Sequence, residues 1–187
     1  MPQQTVLAKI KELESERTDW FVKQDSLHLI MQYIRQGDFH RVLEIGTHIG
    51  YSALNFSLVA DHVTTIEKDR IFIVEAVQNC LLSDNIELIQ ANAFDVLKRF
   101  NKEKRKFHCI FIDAHKPDYG EFLLLSIPLL EDNGAIFIDN TISHKTKLGT
   151  FFKDLENSGL SYKELNVGDG LIIAFKTRKF FQQNKIN

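Results

Sequence analysis

Cysteine is nearly absent from this chain of 187 residues, and what there is does not suggest a disulfide framework. Cys80 falls in an expected helix and Cys109 in an expected strand, where a thiol behaves as a small buried hydrophobe. Proline is as scarce, with three residues, and glycine numbers only nine, so low-complexity, collagen-like or linker-rich organisation is excluded. Charge of one sign is missing too. A formal net charge of −2 provides no global attraction to nucleic acid or anionic lipid, although local basic patches are still possible. No apolar run approaches the length needed to cross a bilayer. Met1-Pro2-Gln3-Gln4 lacks the basic-then-apolar pattern of a secretory leader, so a cytoplasmic protein without membrane association is expected.

What remains is an ordinary globular composition, 44% hydrophobic and 26% charged, long enough for one domain with a full core. Residues 3–18 and 24–36 carry helical periodicity, as in Leu27, Ile30, Met31 and Ile34. Strands and helices then alternate. The pattern predicts strands over 41–45, 62–67, 86–90, 107–112 and 134–139, and helices over 51–60, 69–82, 92–104, 118–130 and 147–158. Lys163–Val167 and Leu171–Lys176, joined around Gly168-Asp169-Gly170, read as a closing antiparallel pair. Such alternation predicts a doubly wound, Rossmann-like α/β fold: a seven-stranded, mostly parallel sheet with an antiparallel last strand and helices on both faces. The single domain spans 1–187. It divides into an N-terminal helical segment over 1–38, free to cover the sheet edge as a lid or to mediate dimerisation, a core over 39–177, and a polar tail over 178–187 that is expected to fray.

Two strands end in acidic chemistry. Phe107–Ile112 runs into Asp113-Ala114-His115-Lys116, and Ala135–Ile138 into Asp139-Asn140. Adjacent parallel strands would bring these tips within about 5 Å of each other. They would meet at the carboxyl edge, where open α/β sheets bind ligands. Two carboxylates and an amide converging there suit a hard cation such as Mg²⁺, Mn²⁺ or Ca²⁺. A turn or helix cap explains each acidic residue taken alone; it is their combination that points to a site. His28, His40, His62, His108 and His144 are scattered without zinc-like spacing.

A second end of the same edge is readable. Arg41–Ile45 leads into Gly46-Thr47-His48-Ile49-Gly50-Tyr51-Ser52, and the next strand ends in Glu67, about twenty residues past Gly46, where an acidic side chain is suited to ribose hydroxyls. A nicotinamide dehydrogenase would show three glycines that seat a pyrophosphate on the helix N-terminus. With only Gly46 and Gly50, an adenosine without phosphate fits better.

Taken together these stretches, with Val167-Gly168-Asp169-Gly170-Leu171, resemble the class I S-adenosylmethionine-dependent methyltransferases. More narrowly they resemble the cation-dependent O-methyltransferases, which include catechol and caffeoyl-CoA methyltransferases and a bacterial tRNA 5-hydroxyuridine methyltransferase. The likeness runs from about Phe21 to Lys176. It implies S-adenosylmethionine as cofactor, with Glu67 on the ribose, Ser52 and the Gly46–Gly50 loop, including Thr47 and His48, at the methionine carboxylate, and Asn92, Ala93 and His115 flanking the adenine. Val22 would contact the cofactor from the N-terminal segment, and Glu44 and Asp113 also count among the cofactor-binding residues. Asp113, Asp139 and Asn140 match the metal ligands, and Lys116 the general base, acting beside Asp113. A homodimer is implied as well. Trp20 and Phe21 are expected to pack the N-terminal segment rather than to stack on a substrate.

The chain departs from the family in having only Thr141–Gly149 between Asn140 and the next helix, which predicts a shallow, open acceptor pocket. A small catechol-like or phenolic acceptor leads. The alternatives are a hydroxylated wobble uridine in tRNA, supported by Lys102, Lys104, Arg105 and Lys106 and by His144, Lys145 and Lys147, and a non-catalytic cofactor-binding module.

Overall fold

The protein is described here from a computed structural model, which defines residues 2–16 and 20–176. The polar tail and residues 17–19, where the first expected helix was to end, lie outside them. The chain opens with α1 (Pro2–Ser15) and α2 (Gln24–Gln36) and then alternates through β1 (Arg41–Ile45), α3 (Tyr51–Ser57), β2 (His62–Glu67), α4 (Arg70–Cys80), β3 (Ile86–Gln90), α5 (Ala93–Glu103), β4 (Phe107–Ile112), α6 (Tyr119–Ser126), β5 (Leu130–Asp139), α7 (Phe151–Asn157), β6 (Ser161–Leu165) and β7 (Leu171–Phe175). The seven strands form one sheet in the order β3-β2-β1-β4-β5-β7-β6. The first five are parallel, and β7 runs antiparallel to both β5 and β6.

Alternation along the central strands builds two cores, because successive side chains leave opposite faces of a strand. Val42, Cys109, Phe111, Ala135 and Phe137 pack with α1, α2 and α3 on one face. Leu43, Ile45, Ile110, Ile112, Ile136 and Ile138 pack with α5, α6 and α7 on the other. Both cysteines are buried and free, as expected.

The N-terminal helices lie over one face of the sheet. Val6, Ile10 and Leu13 of α1 and Leu27, Ile30 and Ile34 of α2 are buried in the first core. Tyr33 meets Phe137 edge-on at 5.4 Å between ring centroids. An amphipathic helix with this much apolar surface gains more by covering a whole sheet face than by lying along an edge.

Helix lengths differ from the sequence expectation where a breaker intervenes. The helix expected over 118–130 ends at Ser126 and continues as a 3₁₀ turn, Ile127–Leu129. Pro128 lacks the N–H that a further α-helical turn requires. The helix expected from 147 begins only at Phe151, after Gly149 takes a φ of 55°. The strand expected over 134–139 starts four residues earlier, at Leu130, because Leu130 pairs with Phe107 across a register shift. β6 falls two residues before its expected place.

Phe111 lies on the central strand, fully buried and edge-on to Phe56 at 5.5 Å. Phe111→Ala should therefore lower the unfolding free energy by about 3–5 kcal/mol, measured by urea denaturation with an unchanged slope. A loss below about 1 kcal/mol would mean that this position collapses without leaving a cavity.

Candidate active site

The carboxyl edge of the sheet opens into a cavity of about 950 Å³, at the upper end of the range of about 300–1,000 Å³ common for ligand sites. It is lined by segments from every predicted stretch: Val22; Gly46, Thr47, His48 and Ser52; Glu67; Asn92 and Ala93; Asp113, His115 and Lys116; Asp139 and Asn140. Two predicted residues stand behind this wall. Glu44 is fully buried beneath it, and a side chain at Gly50 would point toward Cys80 and Asn79.

One end of the cavity is built by the β1–α3 loop. Gly46 has a φ of 102°, and a Cβ there would overlap the Asp113 carbonyl oxygen. Only glycine allows this contact, which docks the loop on the segment after β4. Beneath the loop, Thr47 Oγ1 lies 2.6 Å from Thr65 Oγ1, which in turn donates to Glu44 Oε2 at 2.6 Å. Glu44 Oε1 has no partner. Burial pushes the Glu44 carboxyl up to about 8, against the nearby Ser52 and Thr65 hydroxyls.

Glu67 is held by the backbone. Its Oε2 accepts from His48 N at 2.8 Å, and its Oε1 from Lys68 N at 2.9 Å and Asp69 N at 2.8 Å. Three donors fix the carboxylate at the end of β2 before any ligand arrives. His48, in a left-handed backbone conformation, lays its ring 4.1 Å from that of Phe72, and burial lowers its pKa. Asn92 caps α5, accepting from Phe94 N at 3.0 Å. That hydrogen bond sets where α5 starts, and with it the position of Ala93 in the cavity wall.

The other end is acidic. Ile112 pairs with Ile138, so Asp113 and Asp139 follow one another at the tips of neighbouring parallel strands. Asp113 Oδ1 accepts from Lys116 Nζ at 2.7 Å, and Lys116 also donates to the Tyr119 hydroxyl at 2.8 Å. Asp139 is fully buried and neither of its carboxylate oxygens has a hydrogen-bond partner. Burial, and then the charge of Asp113, raise its pKa to about 8. Asn140 completes the tip with a φ of 62°. An oxygen-only set of two carboxylates and an amide, one carboxylate unsatisfied, fits a hard divalent cation. Among the described residues no group of three or more His, Cys, Asp and Glu side chains could hold a metal, so the amide would have to be part of any such set.

Three aromatic wall residues, Phe72, Phe94 and Phe122, carry no signal in the sequence, whereas His144 and Lys147, noted there as basic residues, and Asp169 also reach the cavity. The β6–β7 turn that carries Asp169 was visible as Gly168-Asp169-Gly170, and Lys23 pairs with Asp169 at 3.7 Å. Phe21 packs as expected, stacked on Tyr51 at 4.8 Å. Trp20 stacks on His48 at 6.4 Å between ring centroids and lines the cavity with 76% of its surface exposed. His115 is exposed and bonded to Asp118 at 3.1 Å. Within the basic cluster, Arg105 lies 4.0 Å over Phe100 and pairs with Glu87, and Lys106 donates to the Pro128 carbonyl. None of the described helices is long and apolar enough to cross a membrane.

A mixed sheet with this strand order and an antiparallel β7, and a cavity running from a backbone-held Glu67 to paired acidic strand tips, define a Rossmann-like methyltransferase fold. The family model described as O-methyltransferase matches residues 4–166, and the chain belongs to that family. It is 35% identical over 111 residues to the O-methyltransferase ankF of Aspergillus thermomutatus, a match covering 54% of this chain and 46% of that protein. It is 30% identical over 107 residues to tapetum-specific methyltransferase 1 of Arabidopsis thaliana, with the same coverage. The chain thus spans less than half the length of these curated relatives. Among solved structures, a Staphylococcus aureus protein described as a candidate caffeoyl-CoA O-methyltransferase superposes with a TM-score of 0.76 at 27% identity, covering 93% of this chain and all of that one. TomG of Streptomyces achromogenes, solved with S-adenosylmethionine, gives 0.78 at 22% identity, over 91% of this chain and 88% of that one. At that identity the likeness speaks for the fold alone.

The buried Glu44 makes stability depend on pH. Its carboxyl titrates near 4.5 when unfolded and near 8 when folded, so the folded chain holds the extra proton in between. This contribution is complete below the lower value and is lost as pH rises through the upper one. Asp139 acts in the same sense. Glu44→Gln should therefore flatten, without abolishing, the fall in urea-unfolding free energy between pH 5 and pH 8. A variant that keeps the wild-type slope would show that Glu44 titrates normally.

Proposed function

We propose that the protein transfers a methyl group from S-adenosylmethionine to a hydroxyl of a small catechol-like or phenolic acceptor, aided by Mg²⁺ or another divalent cation. The observation that carries this reading is Asp139, a buried carboxylate without a partner, beside Asp113 in the wall of one cavity with Glu67. An ionised carboxylate buried without a counter-charge costs several kcal/mol, so such a group is expected to have a partner when the protein works.

In this reading Asp113, Asp139 and Asn140 hold the cation, and Glu67 accepts from the ribose hydroxyls. The Gly46–Gly50 loop with Ser52 meets the methionine carboxylate, and Asn92, Ala93 and His115 border the adenine. The bound pair supplies an electrophilic methyl carbon and a charge that acidifies and orients the acceptor hydroxyl. Lys116, between Asp113 and Tyr119, would take the hydroxyl proton at Nζ in its neutral amine form, which the positive charge of the bound cation and sulfonium would favour. Holding donor and acceptor in line can lower the barrier by about 7–11 kcal/mol, so positioning is the main task of the chain.

A small acceptor is favoured over tRNA because Arg105 and Lys106, half of the Lys102–Lys106 cluster, are engaged within the fold. A homodimer belongs to the same proposal. Ile71 and Val74 on α4 and Leu81 just after it, exposed at 80%, 65% and 79%, offer it apolar surface to bury.

The test is methyl transfer from labelled S-adenosylmethionine to a panel of dihydroxy aromatics. Activity should vanish with a chelator and return with Mg²⁺. Asp139→Asn should lower kcat/KM at least about 100-fold, as expected when a group acting on the transition state is removed, while S-adenosylhomocysteine still binds. Chelator-resistant transfer would overturn the cation-dependent reading, and an inert panel with intact cofactor binding would favour a non-catalytic module.

A further inference from the structure

Most of the charges around the acidic end of the cavity are already matched. Lys116 is tied to Asp113, Lys23 to Asp169, and His115 to Asp118. Lys145, on the loop after Asn140, sits 5.0 Å over the ring of Phe152. Lys147, two residues on, lines the cavity and pairs with no carboxylate among the described residues. His144 lines the cavity beside it, its Nδ1 bonded only to the adjacent Ser143 hydroxyl at 2.8 Å.

The placement follows from the fold. Lys147 closes a 3₁₀ turn, Lys145–Lys147, and is followed by Leu148, which is fully buried in the second core. A Cβ at Gly149 would lie 3.5 Å from the Pro117 carbonyl, so the turn is docked on the segment that carries Lys116. From Thr141 to Lys153 the chain carries no acidic residue. The docked turn therefore brings an unmatched ammonium to the mouth of the acceptor end.

We infer that the acceptor carries an anionic oxygen group, of the carboxylate class, which Lys147 meets with His144 beside it while the reacting hydroxyl lies at the acidic strand tips. The inference rests on the proposed methyl transfer for the location of the acceptor, and it adds a requirement on the acceptor that the strand-tip residues do not impose. A neutral catechol would leave Lys147 solvated and gain nothing from it. A dihydroxybenzoate would neutralise it at the rim, where a single exposed ion pair yields a modest, salt-sensitive preference.

The experiment compares 3,4-dihydroxybenzoate with its neutral analogue 3,4-dihydroxybenzamide on the full chain. At low salt the benzoate should be favoured in kcat/KM by about two- to fivefold, the size expected of an exposed ion pair, and the preference should shrink as ionic strength rises. Lys147→Met should abolish the benzoate-to-benzamide ratio, whereas Lys145→Met should leave that ratio unaltered. Calorimetry with S-adenosylhomocysteine present reads the same preference in Kd without turnover. Preferential benzoate binding with no methyl transfer would uphold this inference and overturn the proposed reaction. Equal kcat/KM and Kd for the two acceptors, or a preference that survives in Lys147→Met, would overturn the inference itself.

Discussion

The site depends on one constraint: β4 and β5 lie side by side, in parallel, with Ile112 opposite Ile138. A slip of one residue would turn every core side chain of a strand to the wrong face, and both faces of these two strands are buried. The hydrophobic cores therefore fix the register, and the register fixes where Asp113 and Asp139 emerge. Packing energy spread over some dozen apolar side chains holds two carboxylates in a place that electrostatics alone would oppose. The raised pKa of Asp139 expresses that opposition.

The cofactor end is organised differently. Glu67 is not forced into an apolar site; three backbone N–H groups receive it. One of those donors belongs to His48, whose left-handed backbone is imposed by the turn between β1 and α3. Loop conformation and carboxylate position are thus a single arrangement, and a ligand bound there need not order either. At the opposite end Asp139 has no such donors. The contrast assigns the two acidic groups different work: Glu67 is satisfied before a ligand binds, and Asp139 is not.

Much of this was legible in the chain. The runs 41–45, 62–67, 86–90 and 107–112 are strands with the expected bounds, because short apolar runs flanked by polar residues have little alternative in an α/β alternation. Thirteen of the fifteen residues singled out for the site line one cavity. Glu44 and Gly50 do not, for reasons no linear motif conveys: Glu44, near the end of its strand, faces inward onto Thr65, and Gly50, at the start of α3, faces Cys80 and Asn79. Helix ends were read less well where local breakers act, at Pro128 and Gly149. That α1 and α2 pack on a sheet face was not legible, because amphipathic periodicity gives a buried face without naming the surface that buries it. Phe72, Phe94 and Phe122 gave no signal, since an aromatic residue in a helix looks the same whether it enters a core or borders a cavity.

The division of the cavity into a prepared end and an unsatisfied end also bears on the short loop after Asn140. Nine residues, 141–149, leave little chain with which to wall an acceptor. What they do contribute is anchored: Thr141 N bonds the Gly170 carbonyl at 3.1 Å, Ser143 N the Asp169 carbonyl at 3.0 Å, and Leu148 is fully buried. A Cβ at Gly170 would collide with the Ile142 backbone, so the β6–β7 turn and this loop are fitted to each other. A loop fastened at both ends presents its intervening side chains from a fixed frame. His144 and Lys147, which line the cavity, are among the side chains so held.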